Sequence, residues 1–182
     1  GRSENSRNRV FCLKDGILET KAYDESKVKD PSLIIYKAKA GIDGKTIITN
    51  GDQTDTILDS IKEGKTFEDA LMTRTYEPDA PNYTPRISLI MNDDSYSLSI
   101  IRRKDDKPER LIWTYGAFNG VCHTIHTYDE GGDPLPSFSS DPIPLFLPDT
   151  FEEFRDTLWN SLDKDNKISL YVSWGEKEEV IN

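Results

Sequence analysis

The side chains best suited to chemistry stand in two polar stretches of this 182-residue chain. The first is a predicted strand–turn–helix at residues 49–57, whose helix would begin near Asp52 or Thr54. The free N–H groups and the dipole of a helix N-terminus commonly bind anions. Asp52 and Asp55 already occupy this one and would repel a phosphate. We therefore expect the turn to contact hydroxyl or amide groups, or only to cap its helix.

The second stretch is the loop at residues 75–86, which Pro78, Pro81 and Pro85 hold in a rigid, extended path. It combines aromatic, acidic, amide and guanidinium groups within one short segment. Loops of this kind often carry function when a rigid scaffold supports them. The loop is therefore a second candidate site.

Arg2, Arg7 and Arg9 place three positive charges at the start of a chain whose formal net charge is −10. A flexible basic terminus is the common explanation of such a cluster. A local anion site is the functional alternative, because a guanidinium group matches the geometry of phosphates and carboxylates. Composition alone favours the flexible terminus.

The histidines and cysteines of the chain form no recognisable catalytic or metal-binding pattern. His123 and His126 are three residues apart in a predicted strand, so their side chains would lie on opposite faces, one buried and one in solvent or at a site, without sharing a metal ion. Cys12 and Cys122 stand in apolar runs and are expected to be reduced core thiols. The sequence has no familiar nucleotide-loop, serine-nucleophile or zinc-protease motif. We predict neither a metal nor a cofactor.

Composition indicates a folded, acidic protein with a single domain over residues 1–182. Apolar residues make up 35% of the chain, charged residues 31% and aromatic residues 10%, and the last figure is too high for a disordered chain. The negative charge disfavours nucleic acid and anionic membranes as partners. The sequence shows neither an apolar run that could span a bilayer nor a signal peptide, so a cytoplasmic location is expected.

Apolar patterning and turn dipeptides predict hairpins and separate groups of helices. Helices are predicted near Asp52, from residue 67 and from residue 151, and an ordered surface loop is predicted at residues 129–148. The predicted strands are residues 9–14, 17–22, 32–40, 45–49, 86–91, 96–102, 111–115, 121–128 and 168–174. This order of elements is typical of an α+β fold with antiparallel sheets.

Three stretches resemble the archaeal-type IMP cyclohydrolase family. They are TNGDQTDTI at residues 49–57, KEGKTFEDAL at residues 62–71 and YEPDAPNYTPRI at residues 76–87. Family members show an S/T-N-G-x-x-T-D-T-I turn, a G-x-x-x-x-D-A-[IL] helix and a loop that ends in R-I. On these motifs the chain is identified as a member of the family, and the turn is the most specific of the three.

Flanking segments extend the resemblance over about residues 1–92. GRSENSRNR at residues 1–9 is similar to the family's R-S-x-x-N-R segment, and LIIYKA at residues 33–38 to the strand before the turn. HTIHTYDEGGDPLPSF at residues 123–138 is similar to bacterial, cyclohydrolase-like members. In the family two strands precede the R-S segment, and they are expected to be missing from residues 1–182.

The resemblance implies a fold and a reaction. The fold would be a four-layer α-β-β-α sandwich with antiparallel sheets, like that of the N-terminal nucleophile hydrolases. The reaction would convert 5-formamidoimidazole-4-carboxamide ribonucleotide into IMP and water, by attack of the carboxamide nitrogen on the formyl carbon and loss of water. An enzyme for it must fold the substrate, move protons and stabilise an oxyanion, with no cofactor.

The resemblance also assigns residues. The family's key arginine, tyrosine and glutamate correspond to Arg9, Tyr36 and Glu77. Arg9 would hold the formyl or carboxamide oxygen or the phosphate, Tyr36 would donate or relay a proton, and Glu77 would act as general base or orient the amide. The residues expected to line the nucleotide site are Asn50, Asp52, Thr54 and Arg86, with Arg2 and Arg7 as candidates for the 5′-phosphate.

Two other hypotheses stay open at this point. The chain could be a purine-nucleotide-binding protein that keeps the fold and the site but not the chemistry. A plain structural or interaction domain is the third, and it leaves the arginine-dense start and the two motif-bearing stretches unexplained. The sequence leaves open whether the chain forms a homo-oligomer.

Overall fold

The computed structural model describes residues 1, 3–28, 31 and 34–182. Within this part of the chain the fold is α+β, with mostly antiparallel sheets, as the sequence predicts. The helices are α1 (Glu4–Arg7), α2 (Gln53–Lys62), α3 (Phe67–Met72) and α4 (Phe151–Ser161), with a short 3₁₀ helix at Glu25–Lys27. The strands are β1 (Arg9–Lys14), β2 (Ile17–Ala22), β3 (Lys37–Ile42), β4 (Lys45–Thr49), β5 (Arg86–Met91), β6 (Ser95–Lys104), β7 (Lys107–Gly116), β8 (Val121–Thr124), β9 (Ile143–Phe146), β10 (Leu170–Trp174) and β11 (Lys177–Ile181).

The strands β1 to β7 form one sheet in chain order, each antiparallel to its neighbour. Two hairpins turn at the predicted positions, Asp15-Gly16 and Asp43-Gly44, where φ lies between 49° and 76°. Positive φ at both central residues is typical of type I′ turns, whose twist matches that of paired antiparallel strands. Because the hairpins are tight, the start of β1 and the approach to β3 lie at the same end of the sheet.

One face of this sheet is covered by α2 and α3. Ile57 of α2 and Leu71 of α3 are at most 1% exposed and pack in one cluster with Ile47 of β4. At the start of α3, Thr66 and Asp69 exchange side-chain-to-backbone hydrogen bonds, which is the predicted capping box. This packing fixes both sides of the turn that joins β4 to α2.

The second half of the chain adds α4 and two small antiparallel sheets. β8 pairs with β9, and β10 pairs with β11. The rings of Phe154 in α4 and Trp174 in β10 meet edge to face with their centroids 5.7 Å apart. Lys39 of β3 forms an ion pair with Glu178 of β11, so this hairpin lies against the large sheet.

Several predicted boundaries in the second half are wrong. The predicted strand 121–128 ends at Thr124. Residues 129–148, predicted as a loop, contain β9, and Ser137 in this range forms an isolated bridge with Tyr128. The sequence of β9 predicts a loop because it contains Pro144. Proline has no backbone N–H to donate to a neighbouring strand and is tolerated in a strand only where that donor is not needed. β11 was missed because its sequence, KEEVI, is mostly charged.

The bounds of β3, β6 and β7 also differ from the predicted ones. β3 begins at Lys37 rather than at residue 32, and residues 32 and 33 lie outside the described residues. β6 and β7 are each longer than predicted, because their paired ends are charged or polar and carry no apolar pattern.

The two histidines do not lie on opposite faces of one strand, because β8 ends before His126. The Nδ1 atom of His123 lies 2.6 Å from the hydroxyl oxygen of Tyr96, and its ring stacks on that of Tyr115 at 3.8 Å. His123 is half-buried and His126 is exposed.

The cysteines are unpaired, and both are half-buried rather than fully inside the core. Among the residues that the structure describes, no three His, Cys, Asp or Glu side chains are grouped so that they could hold a metal ion. None of the helices in that part of the chain is both long and apolar enough to cross a lipid bilayer.

Candidate functional site

A cavity of about 500 Å³ opens between the N-terminal segment, the proline-rich loop and the segment that follows β8. Arg9, Asn50 and Glu77 line it. A second cavity of about 220 Å³ is lined by Arg9 and Tyr36, and Asn166 contributes to both. Predicted site residues from separate segments therefore line two adjoining cavities that share Gly1, Arg9 and Asn166. The two cavities together are called the cleft below.

Arg9 and Tyr36 meet at this cleft through a hydrogen bond. The Nη1 atom of Arg9 donates to the hydroxyl oxygen of Tyr36 at 3.3 Å. Thr20 of β2 fixes the backbone of Tyr36 by two hydrogen bonds of 2.9 Å, one in each direction. Burial raises the pKa of Tyr36 above its usual value, although the charge of Arg9 opposes the rise. The hydroxyl group therefore stays protonated near neutral pH and can donate a proton or a hydrogen bond.

Glu77 lies on the proline-rich loop with its side chain almost fully enclosed. The residue is 8% exposed, and its backbone N–H donates to the carbonyl oxygen of Thr84 at 2.9 Å. Burial raises the pKa of Glu77 to about 7, against the opposing charges of Arg86 and Arg9. A carboxyl group with such a pKa gains and loses a proton near neutral pH, as a general acid or base must.

Arg86 lies behind Glu77, at the start of β5. Its Nη1 atom donates to Asp52 Oδ1 at 2.7 Å and to Gln53 Oε1 at 2.9 Å, and its Nε atom donates to the carbonyl oxygen of Thr75 at 3.0 Å. The same Nη1 atom lies 3.6 Å from Glu77 Oε1. Arg86 is 8% exposed, so it is a buried cation that several acceptors hold in one orientation.

The turn before α2 uses its polar side chains internally. Asn50 donates to the carbonyl oxygen of Pro85 at 2.8 Å, and its Oδ1 atom accepts from the Ile87 N–H at 2.9 Å. The hydroxyl groups of Thr54 and Thr49 lie 2.7 Å apart, and Thr54 is 1% exposed. These bonds tie the turn to the start of β5, where Arg86 stands.

Asp52 stands at the N-cap position of α2, but its side chain makes no capping hydrogen bond. Its carboxylate binds Arg86 and Arg74 instead. The prediction that this aspartate caps the helix is therefore wrong: two neighbouring guanidinium groups compete better for its oxygens than the helix N–H groups do. Asp55 forms an ion pair with Lys37 at 2.8 Å.

The structure divides the predicted site residues into groups. Arg9, Tyr36, Glu77 and Asn50 line the cleft, whereas Asp52, Thr54 and Arg86 lie behind its wall and are not among the lining residues. Arg7 donates to the Gly1 carbonyl oxygen at 2.9 Å and to Asn166 Oδ1 at 3.0 Å. Arg2, the other candidate for the phosphate, lies outside the described residues.

Sequence reasoning did not identify several lining residues from the far side of the large cavity. Asn82 Oδ1 accepts from the Leu135 N–H at 2.9 Å, and the hydroxyl groups of Thr84 and Tyr128 lie 2.6 Å apart. Asn82 and Thr84 belong to the loop already singled out, so its polarity was a usable signal. Nothing in the sequence around Leu135 or Tyr128 predicts that these residues contact Asn82 and Thr84.

The geometry suits proton transfer at a polar substrate. A carboxyl group that titrates near neutrality, a protonated phenol and a guanidinium group all face one cleft. Together they can accept a proton, donate a proton and stabilise a negative charge on oxygen.

Comparison with known proteins gives a consistent result. Residues 1–179 match the model of a family described as IMP cyclohydrolase-like protein. The chain is 27% identical over 157 residues to the IMP cyclohydrolase of Methanopyrus kandleri, an alignment that covers 79% of this chain and 77% of that protein. It is 36% identical over 91 residues to the IMP cyclohydrolase of Methanococcus maripaludis, which covers 48% of this chain and 44% of the relative. The match to the Methanosphaera stadtmanae IMP cyclohydrolase is also 36% identical, over 92 residues that cover 48% and 45% of the two chains.

Proposed function

The chain belongs to the IMP cyclohydrolase-like protein family, and from that premise we propose that it closes the last ring of the purine nucleotide. The substrate is 5-formamidoimidazole-4-carboxamide ribonucleotide, and the products are IMP and water. The observation that carries the proposal is the convergence of Arg9, Tyr36 and Glu77 on one cleft, with Glu77 titrating at a pKa of about 7.

The first step joins the carboxamide nitrogen to the formyl carbon. Glu77, as carboxylate, accepts the proton that the attacking nitrogen loses, and the electrons of the formyl C=O bond move to its oxygen. Arg9 stabilises the charge that develops there, and Tyr36 donates its proton to it. The product is a carbinolamine, with Glu77 protonated and Tyr36 as a phenolate beside Arg9.

The second step expels water and restores the enzyme. The carbinolamine hydroxyl group leaves with the proton of Glu77, the C–O bond breaks, and a C=N bond forms in the ring. The ring nitrogen loses its proton to the phenolate of Tyr36. Both steps gain from the cleft because it holds the two reacting groups of one molecule against each other.

The rest of the nucleotide is assigned by charge and polarity. Asn50 lines the large cavity and is proposed to contact the base or the ribose. Arg7 binds Asn166, which lines both cavities, and with Arg2 it is the proposed partner of the 5′-phosphate. Asp52, Thr54 and Arg86 then support the site from behind its wall, so a direct substrate contact is not proposed for them.

We also propose the four-layer α-β-β-α arrangement for the whole protein. α2 and α3 cover one face of the large sheet. The Lys39–Glu178 ion pair brings β10 and β11 against that sheet, and α4 packs on β10. Under the same proposal the enzyme works in the cytoplasm without a nucleic-acid partner, and its oligomeric state is measurable by light scattering.

The proposal is tested with the full-length protein and its formylated substrate. IMP formation is followed by absorbance, and binding of IMP and of the aminoimidazole carboxamide ribonucleotide by thermal shift. Turnover that Glu77→Gln reduces at least tenfold supports the assignment. Binding of both nucleotides without turnover would instead identify a non-catalytic purine-nucleotide-binding protein. Neither binding nor turnover would reject both functions.

A further inference from the structure

The turn at residues 50–53 belongs to the most specific motif of the chain, residues 49–57, yet most of the turn does not face the cleft. Asn50 is the member of the turn that lines the large cavity. The side chains of Asp52 and Gln53 point to Arg86 instead, with their oxygens 2.7 Å and 2.9 Å from its Nη1 atom. The proposed reaction therefore leaves the rest of the motif unexplained.

Gly51 shows why these residues belong together. A Cβ atom at this position would lie 2.6 Å from Arg86 Nη1, 2.7 Å from Gln53 Oε1 and 3.2 Å from Glu77 Oε1. Contacts below 3.0 Å force a displacement, and here the atoms that must move are the guanidinium group and its acceptor. Gly51 is not among the residues with positive φ, so glycine is required for space and not for backbone conformation.

The chain of contacts continues outward from Arg86. Asp52 Oδ1 accepts from Arg86 at 2.7 Å and from Arg74 Nη2 at 2.5 Å. Burial on its own would raise the pKa of Asp52, but the hydrogen bonds and charges of Arg74 and Arg86 lower it below the usual value. Asp52 is therefore ionised at neutral pH and can anchor Arg86.

We propose that Gly51, Asp52 and Arg86 form a positioning network, in which Asp52 anchors Arg86 against the open face of Gly51 so that its guanidinium group holds Glu77 from behind. Arg86 is then a positioning residue that acts through Glu77 and does not touch the substrate. Residues 51–53 therefore position Glu77, the general base of the reaction, and do not bind the nucleotide. This inference rests on the proposed function, because it assigns a role relative to Glu77.

The charges that face Glu77 come from several elements. Arg86 from β5 and Arg9 from β1 favour its carboxylate form, whereas Asp79 of its own loop and Asp52 at the start of α2 disfavour it. Tyr36, before β3, also interacts with it electrostatically. The charge of Asp52 and its hold on Arg86 therefore act on the pKa of Glu77 in opposite directions, so removal of Asp52 can distinguish the two.

The first test replaces each charged side chain by a neutral polar one. Arg86→Gln removes the nearest positive charge, so we expect the acidic limb of the pH profile of kcat/KM to move upward by about one unit or more. Asp52→Asn removes the anchor of Arg86, so the guanidinium group moves away from Glu77 and the limb also moves upward, by a smaller amount. Upward shifts in both variants support the network. A downward shift in Asp52→Asn, which loss of its charge alone would give, or unchanged profiles in both variants, would overturn it.

The second test fills the space at Gly51. Gly51→Ala is expected to lower kcat at least tenfold while KM changes little, because the added methyl group displaces Arg86 from Glu77. Gly116→Ala is the matched control, since a Cβ atom there meets nothing within 4 Å. Equal kcat values for Gly51→Ala and the parent protein would overturn the proposal. Circular dichroism and melting curves accompany each variant, and Asp52→Asn, whose side chain is 47% exposed, stays informative if Arg86→Gln does not fold.

A third measurement separates this inference from the proposed function. Carbon-13 NMR of the glutamate carboxyl groups gives the pKa of Glu77 with no substrate present, with Glu77→Gln to identify its signal. If the parent protein makes no IMP but the titration still moves upward in both Arg86→Gln and Asp52→Asn, the network stands and the proposed function fails. If IMP forms and the Glu77 titration is the same in all variants, the function stands and the network fails.

Discussion

The residues on the cleft wall and those behind it differ in how far their polar atoms are already bonded. In the described part of the chain Arg9 makes one side-chain hydrogen bond, to Tyr36, and Glu77 contacts Arg86 only at 3.6 Å. Arg86, behind the wall, by contrast bonds three acceptors at 3.0 Å or less. Arg9 and Glu77 on the cleft wall therefore keep donors and acceptors for a ligand, whereas the donors of Arg86 behind the wall are bonded to the protein itself. Changes on the cleft wall should lower turnover directly, and changes behind it should lower stability or act on turnover only through Glu77.

The largest effect is expected from Arg9, the cation between the two cavities. Arg9→Ala should lower kcat/KM by about a hundred- to ten-thousand-fold, because the oxyanion loses its positive partner. Its melting temperature should stay close to that of the parent. Lys14→Ala, an exposed change on the same strand, is the control and should leave both quantities unaltered. A strong loss of stability in Arg9→Ala would show that Arg9 has a structural role like that of the residues behind the cleft wall.

The next effect concerns Glu77 and pH. Its pKa is about 7 in the folded protein against an ordinary 4.5, so the unfolded chain gives up this proton first as pH rises. The folded state therefore loses stability between about pH 4.5 and 7, by at most about 3 kcal/mol. Glu77→Gln removes this loss, so the variant should be more stable than the parent at pH 8 and equal to it at pH 4.

Urea unfolding of both proteins at several pH values measures this difference. Glu68→Gln, at an exposed position of α3, is the control and should show no such trend. A Glu77→Gln variant that is less stable than the parent at pH 8 would mean that the carboxylate is a structural anchor. The contrast between the cleft wall and the residues behind it would then be wrong for this residue.

A smaller effect is expected behind the wall, at Thr54. Thr54→Val breaks its buried bond to Thr49 and should cost about 1–3 kcal/mol of unfolding free energy, with kcat and KM unchanged. Thr114→Val is the matched control, because it breaks an exposed hydroxyl pair with Ser97. A raised KM for the nucleotide in Thr54→Val would show that Thr54 binds substrate and belongs to the cleft wall.

The smallest effect separates the two aspartates of the turn. Asp55 pairs with Lys37 at an exposed position, with 54% of its side chain accessible. Surface ion pairs contribute about 0–1 kcal/mol, so Asp55→Asn should change stability by less than about 1 kcal/mol and leave the pH profile of kcat/KM in place. A shift of that profile as large as the one in Asp52→Asn would remove the distinction between them.

Local signals were enough for the parts of the fold that are set locally. The turn at Asp15-Gly16 and the capping box at Thr66 were readable because their geometry depends on two to four adjacent residues. β9 was not readable, because Pro144 argues against a strand and only its partner β8 makes one there. The same limit hid β11, whose charged residues pair with β10.

The site followed the same rule. Family resemblance named Arg9, Tyr36 and Glu77, and the structure brings them to one cleft. Nothing local in the sequence could show that Arg86 faces Asp52 across 34 positions, or that Asp52 would give up its capping role to do so. The contact depends on the pairing of β4 with β5, which is a property of the sheet.

The bond between Asn82 and residue 135 has a consequence for how this protein can diverge. Asn82 accepts a hydrogen bond from the backbone N–H of Leu135 and not from its side chain. Any residue except proline at position 135 can therefore supply the same donor. The segment that closes the far side of the cavity can therefore drift in sequence as long as its path is kept. Neighbouring Tyr128 lacks this freedom, because its contact to Thr84 uses the side-chain hydroxyl group. Two adjacent anchors of the same loop thus face unequal mutational constraint.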